Sequence, residues 1–267
     1  MVWAATPGFR IALAMLATAV SFACLAAYEH FAAERVAPGR IRRGEALRVG
    51  ALAHALSNTL GFHALTASAF RYQQYRRCGM ELSDVAKMLA LVALCVGLGV
   101  ALVSVAAFAW LQFSTGDLTT STKLGSLGLL LLAGLLAWRW LHMQRDGLQW
   151  GWRAFARLTP IAALEMAAAI AALYVLMPAQ SLPGVAQFTL IFVGASLLGI
   201  LSHAPGGIGV FEATMLAALP MPGHAAVLVA LVLYRAIYNL LPFAVALLVL
   251  TLQSAPAIGR PGQFDGG

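Results

Sequence analysis

Charge is scarce in this chain. Only 10% of its 267 residues are Asp, Glu, Lys or Arg, against roughly 25% in a soluble globular domain. So few charges cannot cover a water-facing surface, and that excludes a soluble fold. Cysteine is scarce as well. Cys24, Cys78 and Cys95 are odd in number and scattered, and two of them lie in apolar stretches, which argues against a disulfide framework. The signatures of soluble enzymes are missing too. There is no HExxH, no GxSxG, no phosphate loop and no acidic pair for two-metal phosphotransfer. His54, His63 and His203 show no ligand spacing, so neither a metal nor another cofactor is expected.

What is present is apolar. The chain is 61% hydrophobic, with a mean hydropathy of +0.83. The runs Ile11–Ala33, Val85–Phe113, Leu124–Trp140, Pro160–Met177 and Ala225–Leu252 are each near or above the ~20 residues a spanning helix needs. The expected fold is an all-α polytopic membrane protein with about five spans. The first run resembles a signal peptide in its small residues around Ala26, but it is too long for one and reads as an uncleaved helix. The net charge of +7 would suggest nucleic acid in a soluble protein. Here it reads as cytoplasmic loops facing anionic lipid, so no nucleic-acid partner is expected.

Two stretches fit neither a plain span nor a loop. Ser202–Glu212 reads Ser-His-Ala-Pro-Gly-Gly-Ile-Gly-Val-Phe-Glu between the apolar runs Val185–Leu201 and Ile208–Leu219. Pro-Gly-Gly cannot continue a helix, and broken backbone at membrane depth survives only inside protein or against a water-filled cavity. Val49–Ala69 is long enough to span but polar in its middle, at Ser57, Asn58, Thr59, Gly61 and His63. If Val49–Ala69 crosses, two basic loops lie on opposite sides, against the positive-inside rule. If both irregular stretches enter and return, 14 of the 17 basic residues become cytoplasmic, with the N-terminus outside and the C-terminus inside. The order is then span, re-entrant segment, span over 10–113, a linking span over 124–140, and the same pattern again over 160–252. That is an inverted-repeat layout, found in transporters with broken helices at the repeat interface. It is one transmembrane domain over 1–253 with a disordered tail over 254–267.

Ionisable groups at membrane depth are candidate site residues. Glu212 follows the helix break. Arg235 is the one cation deep in a span, with Glu212 or Glu165 as its expected partner, either as an ion pair or beside a lipid head group. Glu29 and Glu165 either face a cavity or snorkel to the interface. Arg71 and Tyr72 open a basic–aromatic cluster that serves as an interfacial anchor or gathers anionic head groups. Asn58 either satisfies opened backbone or faces the cavity. The amides of Gly206, Gly207 and Gly209 after Pro205 offer donors for a phosphate.

Leu201–Leu216, with its Pro-Gly-Gly-hydrophobic-Gly-x-x-Glu pattern, resembles the signature of the lysylphosphatidylglycerol synthase transmembrane family. Ala55–Gly79, with Ser-Asn-Thr-Leu-Gly-Phe and then Arg-Tyr-x-x-Tyr-x-x-x-Gly, is similar to the first block of the multiple peptide resistance factor proteins in that family. The chain departs from the pattern at His63 and at Ala67-Ser68, where small Gly-rich residues are usual. The resemblance implies a flippase domain that moves phosphatidylglycerol or its aminoacylated form to the outer leaflet, lowers negative surface charge and resists cationic peptides. By motif it carries over Asn58, Gly61, Arg71, Tyr72, Tyr75, Gly79, Pro205, Gly206, Gly207, Gly209 and Glu212, with Glu29 standing near an expected acidic position. The soluble synthase domain of many members is not expected in a chain ending at Gly267, so aminoacyl transfer is not carried over. The expected partners are membrane phospholipids of the bacterial cytoplasmic membrane. A separately encoded synthase would be the partner if the chain is a non-transporting scaffold.

Overall fold

Six residues of the first span, Ala14, Thr18, Ser21, Leu25, Tyr28 and Ala32, follow one another at alternating steps of four and three, so they line one face of a helix. In the computed structural model all six are buried, on one side of α1 (Gly8–Val36). Lipid tails compete with apolar side chains, so helices in a membrane associate through close packing of small residues and through polar contacts. The face of α1 supplies both. The structure describes residues 7–60, 63–115, 152–202, 204–219 and 224–254. The expected linking span over 124–140, the loop before it and the tail beyond Ser254 lie outside the described residues.

Among the described residues eight further helices follow: α2 (Arg43–Leu60), α3 (His63–Tyr75), α4 (Leu82–Thr115), α5 (Trp152–Tyr174), α6 (Val185–Leu201), α7 (Val210–Ala218), α8 (His224–Tyr234) and α9 (Leu241–Ser254). No strand occurs among the described residues. A π-helical turn over Arg235–Leu240 joins α8 to α9, and tight 3-10 turns occupy Arg76–Cys78 and Pro205–Gly207. Among the described residues four stretches are long and apolar enough to cross a membrane: Gly8–Val36, Leu82–Ser114, Ala156–Tyr174 and Ala225–Gln253. The protein is an all-α membrane protein. Expected boundaries move, and the stretch expected over Val49–Ala69 starts at Arg43 and runs to Tyr75. α5 begins well before Pro160, which sits inside the helix, because no breaker precedes it and a membrane helix tolerates proline when neighbours satisfy the freed carbonyl.

The helices run in defined directions. The Arg10 guanidinium donates to the Met177 carbonyl at 3.2 Å, while Ser21, farther along α1, donates to Glu165, earlier in the chain than Met177, at 3.1 Å. α1 and α5 are therefore antiparallel. α4 lies against α5 so closely that Gly99 meets the backbone carbonyl of Ala162, leaving no room for a Cβ. One end of the molecule carries Arg35, Arg40, Arg42, Arg43, Arg76, Arg77 and Lys87 around the α1–α2 and α3–α4 connections. The opposite end, at the start of α1, carries Arg10.

Candidate functional site

Both irregular stretches fold into helical hairpins. Gly50 on α2 packs on the Glu29 side chain, where an added Cβ would lie 2.5 Å from Glu29 Cβ. Tyr75 at the far end of α3 also reaches Glu29, with its hydroxyl 3.1 Å from Oε1. Entry and exit thus converge on one residue of α1, and the segment returns to the side it came from. In the second hairpin Gly199 touches Gly207, and the rings of Phe192 and Phe211 lie 5.6 Å apart. Positions descend on α6 as they rise on α7, which is antiparallel packing. The turn needs glycine. Gly206, Gly207 and Gly209 adopt φ of 59°, 65° and 87°, a region that costs an L side chain roughly 1–2 kcal/mol.

The two hairpin tips meet. A Cβ on Gly206 would stand 3.2 Å from the Asn58 carbonyl and 3.3 Å from that of Thr59. The carbonyls at the end of α2 have no partner within their helix. Asn239 supplies one, donating from Nδ2 to the Asn58 carbonyl at 3.1 Å, while the Thr59 hydroxyl donates to the Asn239 carbonyl at 3.2 Å. Asn239 is the central residue of the span Ala225–Gln253. The meeting point therefore lies at mid-depth in the apolar slab.

Glu212 and Arg235 form the ion pair at this junction. Arg235 Nε donates to Glu212 Oε1 at 2.6 Å, and its other nitrogens donate to the carbonyls of Gly206 and Gly207. The Gly209 N–H donates to Glu212 Oε2 at 2.7 Å, which caps the start of α7 and suits the positive end of its dipole. The guanidinium also sits 5.2 Å from the centre of the Phe211 ring, within cation–π range. Both side chains remain about one-fifth exposed. Two of the amides expected to face a phosphate are committed in this conformation: Gly207 donates to Ala204 and Gly209 to Glu212. The turn presents its carbonyls to Arg235 instead.

A second pair is sealed. Arg71 and Glu29 meet at 2.7 Å with side chains 1% and 0% exposed. Arg71 Nε donates to both carboxylate oxygens, and its other nitrogens reach the Ala67 carbonyl and His54 Nε2. Arg71 therefore answers a carboxylate of its own chain in this conformation. Glu29 does not snorkel, because α2 and α3 close over it. Tyr72 points away and is exposed, so the structure leaves it outside both clusters. Glu165 is buried apart from Arg235, and Ser21 donates to its Oε1 at 3.1 Å. His203 lies outside the described residues. A polar cleft of about 400 Å³ opens elsewhere, at the basic end between Arg40, Glu81, Asp84 and Lys87.

Reasoning from the residues alone passed over Ser21, Phe211 and Tyr238. Ser21 and Tyr238 share a hydrogen bond of 2.7 Å. A signal existed for both, since each is a hydroxyl at the centre of a long apolar span, where a buried O–H needs a partner.

Fold and site together define a polytopic all-α membrane protein in which two broken-helix hairpins meet at mid-depth beside a partly open ion pair. No family model matches the chain. It is similar to the "Uncharacterized protein slr0712" of Synechocystis sp., with 31% identity over 217 residues, covering 76% of this chain and 66% of that protein. The chain thus spans a little under two thirds of that relative's length.

Proposed function

We propose that the chain is a lipid translocator that carries phosphatidylglycerol, or its aminoacylated form, between the leaflets of the bacterial cytoplasmic membrane. The observation that carries this reading is the Glu212–Arg235 pair, held on broken backbone at mid-depth and still partly exposed. The Glu29–Arg71 pair, by contrast, is enclosed and has no open face. When the pair parts it offers a carboxylate and a guanidinium in one place. These are the complements of the ammonium and the phosphate of an aminoacylated phosphatidylglycerol. The hairpin tips supply a point about which a site at the repeat interface opens to either side. The resemblance of the Pro-Gly-Gly and Arg-Tyr stretches to the flippase family names the lipid class, and with it a role in surface charge and resistance to cationic peptides. The basic end faces the cytoplasm by the positive-inside rule, which puts the N-terminus outside and the C-terminus inside.

The test is head-group translocation in liposomes. Purified protein is reconstituted with labelled phosphatidylglycerol, with and without its lysyl form, and leaflet accessibility is followed against Glu212→Gln. Translocation by the parent chain that falls at least tenfold in the variant, with insertion intact, supports the reading. Parent activity no higher than in empty liposomes overturns it and turns attention to a scaffold for a separate lipid-modifying enzyme.

A further inference from the structure

The centre of the molecule holds a carboxyl group that no cation among the described residues answers. Glu165 is the middle residue of the span Ala156–Tyr174 and is 3% exposed. Its Oε1 accepts one hydrogen bond, from Ser21, and its Oε2 is buried without a partner. Ser21 stands next to the middle of the span Gly8–Val36, and Tyr238 next to the middle of Ala225–Gln253. Three spans therefore contribute to one polar chain at the same depth, Glu165–Ser21–Tyr238.

The groups facing Glu165 are uncharged in their ordinary forms. α1 brings Cys24 and Tyr28, and the last span brings Tyr234 and Tyr238. α4 brings Cys95 beside Tyr28, and α6 has no titratable side chain. Arg71 and Arg235 are held by Glu29 and Glu212. A lone carboxylate in such surroundings lacks the water shell or counter-ion that its charge requires, and one hydroxyl does not replace either. A metal ion is a poor answer, because it needs several oxygen ligands and the described residues contain no cluster of metal-binding side chains. A proton needs only the carboxyl oxygen.

We propose that Glu165 is a proton-binding site at mid-depth, and that proton exchange there is relayed through Ser21 and Tyr238 to the π-helical turn that holds the Glu212–Arg235 pair. In the unloaded arrangement Tyr238 donates to Ser21, and Ser21 donates to the Glu165 carboxylate. On loading, a proton from water forms an O–H bond at Glu165 and cancels its charge. The acid donates to Ser21 Oγ, and Ser21 turns its own hydrogen toward Tyr238. The Tyr238 hydrogen is then released from Ser21. On unloading the proton returns to water and the chain reverses, with no electron transferred. The 2.7 Å contact between Ser21 and Tyr238 accommodates either donor.

The relay ends on a sensitive element. Arg235, Tyr238 and Asn239 all lie in the six-residue π-helical turn. It therefore carries the ion pair, the proton relay and the hold on the α2 tip together. Single π-helical turns within α-helices are frequent at functional sites. The coupling rests on the translocator reading, whereas the proton site does not.

The experiment has two arms. Infrared difference spectra of the protein in lipid nanodiscs are recorded between acidic and alkaline buffer. The parent is expected to show a carboxylic acid band that appears with acid, disappears in Glu165→Gln, and shifts in frequency in Ser21→Ala, which keeps the carboxyl but removes its donor. A band unchanged in Glu165→Gln overturns the site. If that variant does not fold, an unshifted band in Ser21→Ala overturns the relay. In the second arm, translocation of labelled phosphatidylglycerol is measured with and without a pH gradient. The parent rate is expected to change several-fold and the Tyr238→Phe rate to lose that dependence. A parent rate indifferent to the gradient overturns the coupling. A parent that moves no lipid overturns the translocator reading, and the infrared arm still decides the proton site.

Discussion

At the scale of single residues, two ion pairs of like composition have different uses. Glu29–Arg71 is fully enclosed and has Tyr75 and His54 around it. Removing one member leaves a buried charge unpaired, so Arg71→Ala is expected to lower stability by about 3–5 kcal/mol, read as unfolding in detergent. Replacing both Glu29 and Arg71 by leucine is expected to cost less than the sum of the single changes, because no bare charge remains. A double change as harmful as that sum would show that the pair is not coupled. Glu212–Arg235 is partly open, and its charges bond to backbone of the broken turn. Glu212→Gln is expected to cost about 1–3 kcal/mol, since one Glu212 oxygen accepts from the Gly209 N–H and the other from Arg235, and the amide keeps an acceptor for only one of them. Its main effect then falls on translocation.

At the scale of elements, glycine decides where helices can touch. Gly206 combines a φ of 59° with the approach of two carbonyls from the tip of α2. Gly206→Ala is expected to cost roughly 1–3 kcal/mol from backbone strain, with further loss because the tips are pushed apart. A thermal midpoint equal to the parent's would show that the tips are not in contact in the membrane. Gly99 fits α4 onto the Ala162 carbonyl. Gly99→Val is expected to separate α4 from α5 and to destabilise by about 1–3 kcal/mol, the usual range for overpacking. Proteolysis at increasing temperature checks it. Asn239 in the π-helical turn has a separate use, satisfying a carbonyl that the end of α2 exposes at mid-depth.

For the whole molecule, direction and charge agree. α1 and α5 are antiparallel, and each hairpin returns to its own side, so the connections at the basic end share one face of the membrane. Cys78 is half-buried at that end, whereas Cys24 and Cys95 are buried in spans. An impermeant maleimide is expected to label Cys78 from the cytoplasmic face only, together with a cysteine placed at Arg40, and to miss one placed at Gln180. Labelling of Arg40 and Gln180 positions from one face would overturn this arrangement. Burial, with a smaller contribution from the Glu45 carboxylate, pushes the Cys78 thiol above its ordinary range. Because the thiolate is the reacting form, labelling is expected to be slow at neutral pH and to quicken as pH rises.

Composition and the length of the apolar runs were enough to determine an all-α membrane protein, because lipid leaves a spanning chain few ways to satisfy its backbone. The break at Pro205–Gly207 was legible for the same local reason, since proline and glycine cannot continue a helix there. The pairing of Arg235 with Glu212 was one of two choices the residues allowed. Only the tertiary structure chose between Glu212 and Glu165 and enclosed Arg71 with Glu29. Those outcomes depend on residues from 23 to 42 positions apart in the chain. The Glu165–Ser21–Tyr238 chain was less legible still, because Ser21 is separated from its two partners by 144 and 217 positions. Periodicity reports which face of a helix is buried. Which hydroxyl meets which carboxyl depends on how the helices stack in depth, and that is decided by packing between distant segments.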